Sequence, residues 1–170
     1  LSPLRSPRAT EEWVMADSDT AANGSNKPGK DSVTIKGQLT CTLKDKDGKV
    51  KKSLQVKNLV VADGRELIAA LLAQDGSSFP SHMAVGTSAT SPSLLDSALL
   101  GTELGRVALS STVASGKDTT YSATFSAGTG TGTIEEMGIF NAGTAGTMLC
   151  RVSTGTLDKG PNDSLDISWT

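Results

Sequence analysis

The sequence predicts a mainly β protein: an antiparallel β-sandwich with one short packed α-helix and an extended N-terminal arm. Three observations predict it. Beyond Asp31, apolar and polar residues alternate in several short runs, the period of a half-buried strand. One window alone, from Asp63 to Gly76, carries apolar residues at helical spacing behind a capping signal. Turn formers are plentiful and aromatics scarce: the 170 residues include 18 Gly but only 3 Phe, 2 Trp and 1 Tyr, so the core must be built from Val, Leu, Ile, Ala and Thr.

Residues 1–30 read as the arm and residues 31–170 as the β-sandwich domain. Pro3, Pro7, Pro28, Asn23, Gly24 and Asn26 leave Trp13, Val14 and Met15 as the arm's one apolar point. That is too little burial to offset the entropy of ordering the segment by itself. The arm is therefore expected to run extended over another subunit, with Trp13 and Val14 as the buried subunit contacts. Met15-Ala16-Asp17-Ser18 resembles a translation start, so residues 1–14 are expected to be an upstream extension, an alternative start or a trace of processing.

From Val33 the period is two: Val33, Ile35, Gly37, Leu39, Cys41 and Leu43 alternate with polar residues. Asp47-Gly48 then marks a hairpin, and Val50, Leu54 and Val56 share one face of the return strand. Lys44, Lys46, Lys49, Lys51 and Lys52 crowd the hairpin tip and read as solvated. A helix is expected over about 64–74, opened by an Asp63–Glu66 capping box, with Leu67, Leu71 and Leu72 on the sheet and Gly76 as its stop. His82 to Val85 is a strand ended by Gly86, followed by a Ser/Thr/Pro loop over 87–98 with a helical turn from Ser93. Val107, Leu109 and Val113 alternate, as do Tyr121, Ala123 and Phe125, around a Gly116-Lys117-Asp118 turn. Gly128 to Gly132 reads as a flexible stretch. Ile134–Phe140, Met148–Val152 and Leu165–Trp169 complete about seven strands.

Composition excludes several functions. A net charge of −2 and a pI of about 5.4 give no electrostatic drive toward nucleic acid. No apolar run approaches the roughly 20 residues of a membrane span, and no basic segment followed by an apolar one signals secretion. One His and two Cys leave no material for a His/Cys metal site. Cys41 and Cys150 read as two buried free thiols.

No catalytic constellation emerges, so no catalytic, cofactor-binding or metal-binding residue is assigned and no enzyme activity or cofactor is expected. His82 sits beside Met83 in an apolar strand and reads as a hydrogen-bonded structural residue. Asp45-Lys46-Asp47-Gly48 resembles the start of a calcium loop, but Val56 occupies the twelfth position, where a bidentate Glu is required. The Gly128–Gly132 run has no helix behind it to bind a phosphate. Glu135 and Glu136 are strand neighbours that point to opposite faces, so they cannot share a site. Glu103 and Arg106, at i,i+3, form a structural ion-pair candidate if the segment turns as a helix.

Three pieces carry a resemblance: His82-Met83-Ala84-Val85-Gly86-Thr87, then Leu100-Gly101-Thr102-Glu103-Leu104-Gly105-Arg106, then Glu135-Glu136-Met137-Gly138-Ile139-Phe140-Asn141-Ala142. Their order behind the helix resembles small virion proteins of tailed bacteriophages and the amino-terminal region of phage tail-collar fibre proteins. The similarity covers about half of the chain. It implies no catalytic residues; it implies a structural role in a virion, with Glu103 and Arg106 locking the loop to the sheet. Two features depart from the pattern. The collar region normally begins a much longer chain, and the polar arm before Asp31 is foreign to it.

The expected function is a non-enzymatic structural protein on the exterior of a phage particle, assembled in the host cytoplasm. A tail, collar or fibre-attachment component ranks first, a capsid decoration protein second and a carbohydrate-binding host-attachment module third. The expected partners are other virion proteins, tail or capsid subunits, and further copies of the chain, with no nucleic acid and no membrane.

Overall fold

In the computed structural model, which describes residues 33–170, the two-residue period becomes real strands. Leu39, Cys41 and Leu43 are buried while Thr40 and Thr42 between them are not. The elements run β1 (Gly37–Lys44), β2 (Val50–Val60), α1 (Ala62–Leu72), β3 (His82–Gly86), β4 (Glu103–Ala108), β5 (Ser111–Ser115), β6 (Asp118–Phe125), β7 (Gly132–Phe140), β8 (Met148–Lys159) and β9 (Ser164–Trp169). Every pairing is antiparallel. The arm expected over residues 1–30, with its contacts Trp13 and Val14, lies outside the described residues.

The mainly β class with one short helix is borne out. The strands form one nine-stranded sheet, in the order β4-β3-β7-β8-β2-β1-β9-β6-β5, rather than two separate sheets. β2 causes this. It pairs with β1 as far as Asn58 and then with β8 through Leu59 and Val60, so one long strand joins both halves. The sheet curls into a half-barrel, and residues from both halves meet inside it. Leu39 and Cys41 from β1, Phe125 from β6 and Trp169 from β9 share a core with Met83 from β3 and Ile139 from β7.

Several local expectations are corrected. β1 begins at Gly37, and Val33 and Ile35 are exposed. The helix is shifted to Ala62–Leu72, and Val61 is its N-cap without any side-chain cap. Asp63 therefore lies in the first turn and forms no capping box. A long-range contact replaces it, because the Ala62 N–H donates to the Leu94 carbonyl. At the other end Gln74 is the first residue in the left-handed region, with φ of 54°, and Gly76 follows it there at 91°. The Gln74 and Asp75 N–H groups donate hydrogen bonds back to the carbonyls of Leu71 and Ala70, respectively. Val107 and Val113 belong to different strands, β4 and β5, at opposite edges of the sheet. The Gly128–Gly132 stretch is packed at Gly130, where a side chain would meet Phe125 and Val85.

Leu67 is buried, Leu71 half-buried, and Leu72 is 81% exposed, which overturns its assignment to the sheet face. Leu67→Ala is therefore expected to cost about 2–5 kcal/mol. Leu72→Ala should stay within about 0.5 kcal/mol of the parent. Denaturant unfolding of the two variants checks the order, and equal losses would refute the packing described.

Candidate functional site: a latched loop

The three sequence pieces that carry the resemblance lie side by side. β3 is the middle strand, paired with β4 on one edge and β7 on the other. Between β3 and β4 the chain makes a long excursion over residues 87–102, whose flanking residues Gly86 and Glu103 are register partners. A loop of this length without regular structure needs its own anchors to hold a shape.

Its main anchor is Glu136, which the sequence reading set aside. The neighbours on β7 do diverge: Glu135 accepts a bond from the Thr156 hydroxyl at the surface, while Glu136 is fully buried. The Glu136 carboxylate accepts the N–H groups of Ser88 (3.2 Å), Leu100 (3.0 Å) and Gly101 (2.6 Å). It also accepts from Arg151 Nε at 2.7 Å. Arg151, on β8 and equally buried, donates Nη1 to Asp96 at 3.0 Å and Nη2 to the Thr90 carbonyl at 3.0 Å. Asp96 closes the network by accepting the Ser93 N–H. Two carboxylates thus share one guanidinium, and backbone donors supply the remaining compensation that buried charge requires.

Glycines make room for this latch. A Cβ on Gly86 would lie 2.7 Å from Glu136 Oε1 and 3.1 Å from Leu99. One on Gly138 would lie 3.2 Å from the same leucine. In the slot they leave, Leu99 packs on Val61, Ala84, Phe140 and Met148. The loop is thereby held from beneath. Its outer side presents Leu94, Leu95 and Leu100, of which Leu95 is 89% exposed.

Glu103 and Arg106 are also joined, by a different route from the one expected. The segment is strand β4, not a helical turn, and strand residues three apart normally face opposite sides. A bulge shifts the register between Val85 and Gly86, so that Val85 faces Gly105 and Gly86 faces Glu103. The extra residue returns Glu103 to the side of Arg106. Arg106 donates Nε and Nη2 to the two Glu103 oxygens at 3.1 and 2.7 Å. Its Nη1 reaches the carbonyls of Ala142 and Ala145, and the guanidinium lies 3.9 Å from the Phe140 ring centroid. The pair fastens β4 to the β7–β8 turn; the loop itself is locked by Glu136, Arg151 and Asp96.

The remaining reactive groups are occupied or sealed. His82 Nδ1 shares a hydrogen bond with the Ser81 hydroxyl at 2.8 Å. Cys41 and Cys150 are buried and unpaired. Burial pushes the Cys41 thiol up to about 11 despite nearby Lys52, and pushes Cys150 further still. Asp45 spends a carboxylate oxygen on the N–H groups of Asp47 and Lys49, which closes the hairpin. Among the described residues no cluster of His, Cys, Asp and Glu has metal-ligand spacing, and no helix is long and apolar enough to cross a membrane. The arrangement is suited to presenting a rigid surface. No family model, no curated protein and no solved structure matches the chain.

Proposed function

We propose that the chain is a non-enzymatic structural protein on the exterior of a tailed-phage virion, acting as a tail, collar or fibre-attachment component. One observation carries the reading most directly. The three sequence pieces that resemble phage collar proteins meet on adjacent strands and, with Arg151 of β8, hold one exposed loop in a fixed shape. A loop ordered in advance loses less entropy when it docks, and its outward leucines offer the apolar centre of such a contact. In this reading the two halves of the half-barrel serve as the layers of a β-sandwich sharing β2, with neighbouring virion subunits and further copies as partners.

Capsid decoration is the second reading, favoured by the polar arm, which is suited to lying across neighbouring subunits. Attachment to glycans is weaker. Phe125, Phe140 and Trp169 are buried and Tyr121 is half-buried, which leaves Phe79 as the one strongly exposed aromatic ring among the described residues. Quantitative mass spectrometry of purified particles tests the proposal. A copy number on the scale of a tail ring supports it, and one on the scale of the capsid lattice moves the protein to the head. Absence from the particle overturns both.

A further inference from the structure

The end of the half-barrel opposite the hairpin tip holds a cleft of about 330 Å³ between the sheet and α1. Val60, Ile139, Leu149 and Trp169 line it from the sheet, and Ile68 and Leu71 from the helix. Ile35 and Phe79 also line it, and they are 46% and 73% exposed. Two polar atoms on its lining residues stand out. Trp169 is only 2% exposed, yet its indole N–H has no hydrogen-bond partner among the described residues; the buried Asn58 Oδ1 has none either. Both atoms are sealed from solvent and so do not open into the cleft, whose wall is mainly apolar and suits an apolar occupant.

We propose that this cleft receives the Trp13-Val14-Met15 segment of a second copy's arm, so that two copies exchange arms. Chemistry favours this occupant. The segment is the arm's one apolar point, and an indole brings a large apolar surface. Charge agrees. Glu11, Glu12, Asp17 and Asp19 flank the segment with no basic residue among them, while the charged residues lining the cleft are Lys36, Lys117 and Asp118, a net positive set. Chain path agrees as well. The described chain begins at Val33, and Ile35, Lys36 and Gly37 already line the cleft. The described residues therefore begin beside the cleft. Two copies set cleft to cleft bring each arm's exit next to the other's entry, the self-complementary geometry of a twofold dimer. The same approach covers Ile35 and Phe79. This deepens the assembly reading above, and rests on it for the arm's acting between copies.

The test uses the full chain, whose two Trp residues give two indole N–H signals in a nitrogen-15 correlation spectrum, alongside sedimentation for mass. The parent is expected to be a dimer. Trp13→Ala should weaken association at least tenfold and move the Trp169 signal. Thr119→Arg, at an exposed position lining the cleft, should do the same without touching the core, and Leu71→Arg provides a second block. Mixing labelled Trp13→Ala with unlabelled Thr119→Arg should restore a dimer and return the labelled Trp169 signal toward its parental position, because one intact cleft then meets one intact arm. A monomeric parent overturns the proposal. So does a Trp169 signal that responds to Trp13→Ala within a monomer, or one indifferent to it in a dimer. A monomer found on virions would sink this inference alone, and an arm-exchanged dimer absent from virions would sink only the virion assignment.

Discussion

Arg151→Ala is expected to cost about 3–5 kcal/mol, a large share of the roughly 5–15 kcal/mol that holds a domain together. The reason lies in what it leaves behind. Arg151 is fully buried and bonded to Glu136, Asp96 and the Thr90 carbonyl. Without it, two buried carboxylates are left with only backbone N–H groups for compensation. Arg151→Met, which keeps most of the volume, should cost nearly as much, because the loss is uncompensated charge and not an empty space. Adding Glu136→Gln to Arg151→Met should recover part of the loss, since one of the stranded charges is then gone. Denaturant unfolding of the three variants gives the coupling directly. Limited proteolysis supplies a local readout: residues 87–102 should become the first site cut. An Arg151→Ala protein with parental stability and a protected loop would show that the latch contributes nothing.

The elements legible in the sequence were those whose cause is local. The alternation through Leu39, Cys41 and Leu43 needs no partner to be recognised, and Asp47-Gly48 announces its own turn, with Gly48 at φ 79°. What was missed depends on residues far along the chain. The capping box at Asp63 lost to a carbonyl at Leu94, which satisfies the first helical N–H from another loop. Glu103 and Arg106 were paired correctly by charge but for the wrong geometry, since a bulge leaves no mark in residue spacing. The latch had a readable signal that the two-residue period obscured. Glu136 precedes Met137-Gly138-Ile139-Phe140, and Arg151 sits between Leu149-Cys150 and Val152. Such runs are apolar on both faces, as in strands covered on both sides. A charge placed there must meet another buried group, and one acidic and one basic residue in neighbouring covered strands are each other's natural partner.

Gly64→Ala separates local preference from packing most sharply. Within a helix, alanine is favoured over glycine by roughly 1 kcal/mol, so on local grounds the change should stabilise α1. The fold forbids it. A Cβ on Gly64 would run into the backbone carbonyl of Leu149 on β8, and a carbonyl within a strand cannot swing aside as a flexible side chain can. The helix would have to lift from the sheet, loosening Leu67 and Ile68 from the core they cover. A net loss at or above about 3 kcal/mol is expected, the upper end of ordinary overpacking. Gly48→Ala gives the contrast. Nothing lies within 4 Å of a Cβ there, and its cost arises only from the positive φ of 79°, about 1–2 kcal/mol. Measured unfolding free energies should therefore place Gly64→Ala well below Gly48→Ala, with faster amide exchange around Leu149 in the first variant only. If Gly64→Ala proved as stable as the parent, α1 would not be seated on β8. The cleft beside it, which depends on Ile68 and Leu71 for one wall, would then lose that wall too.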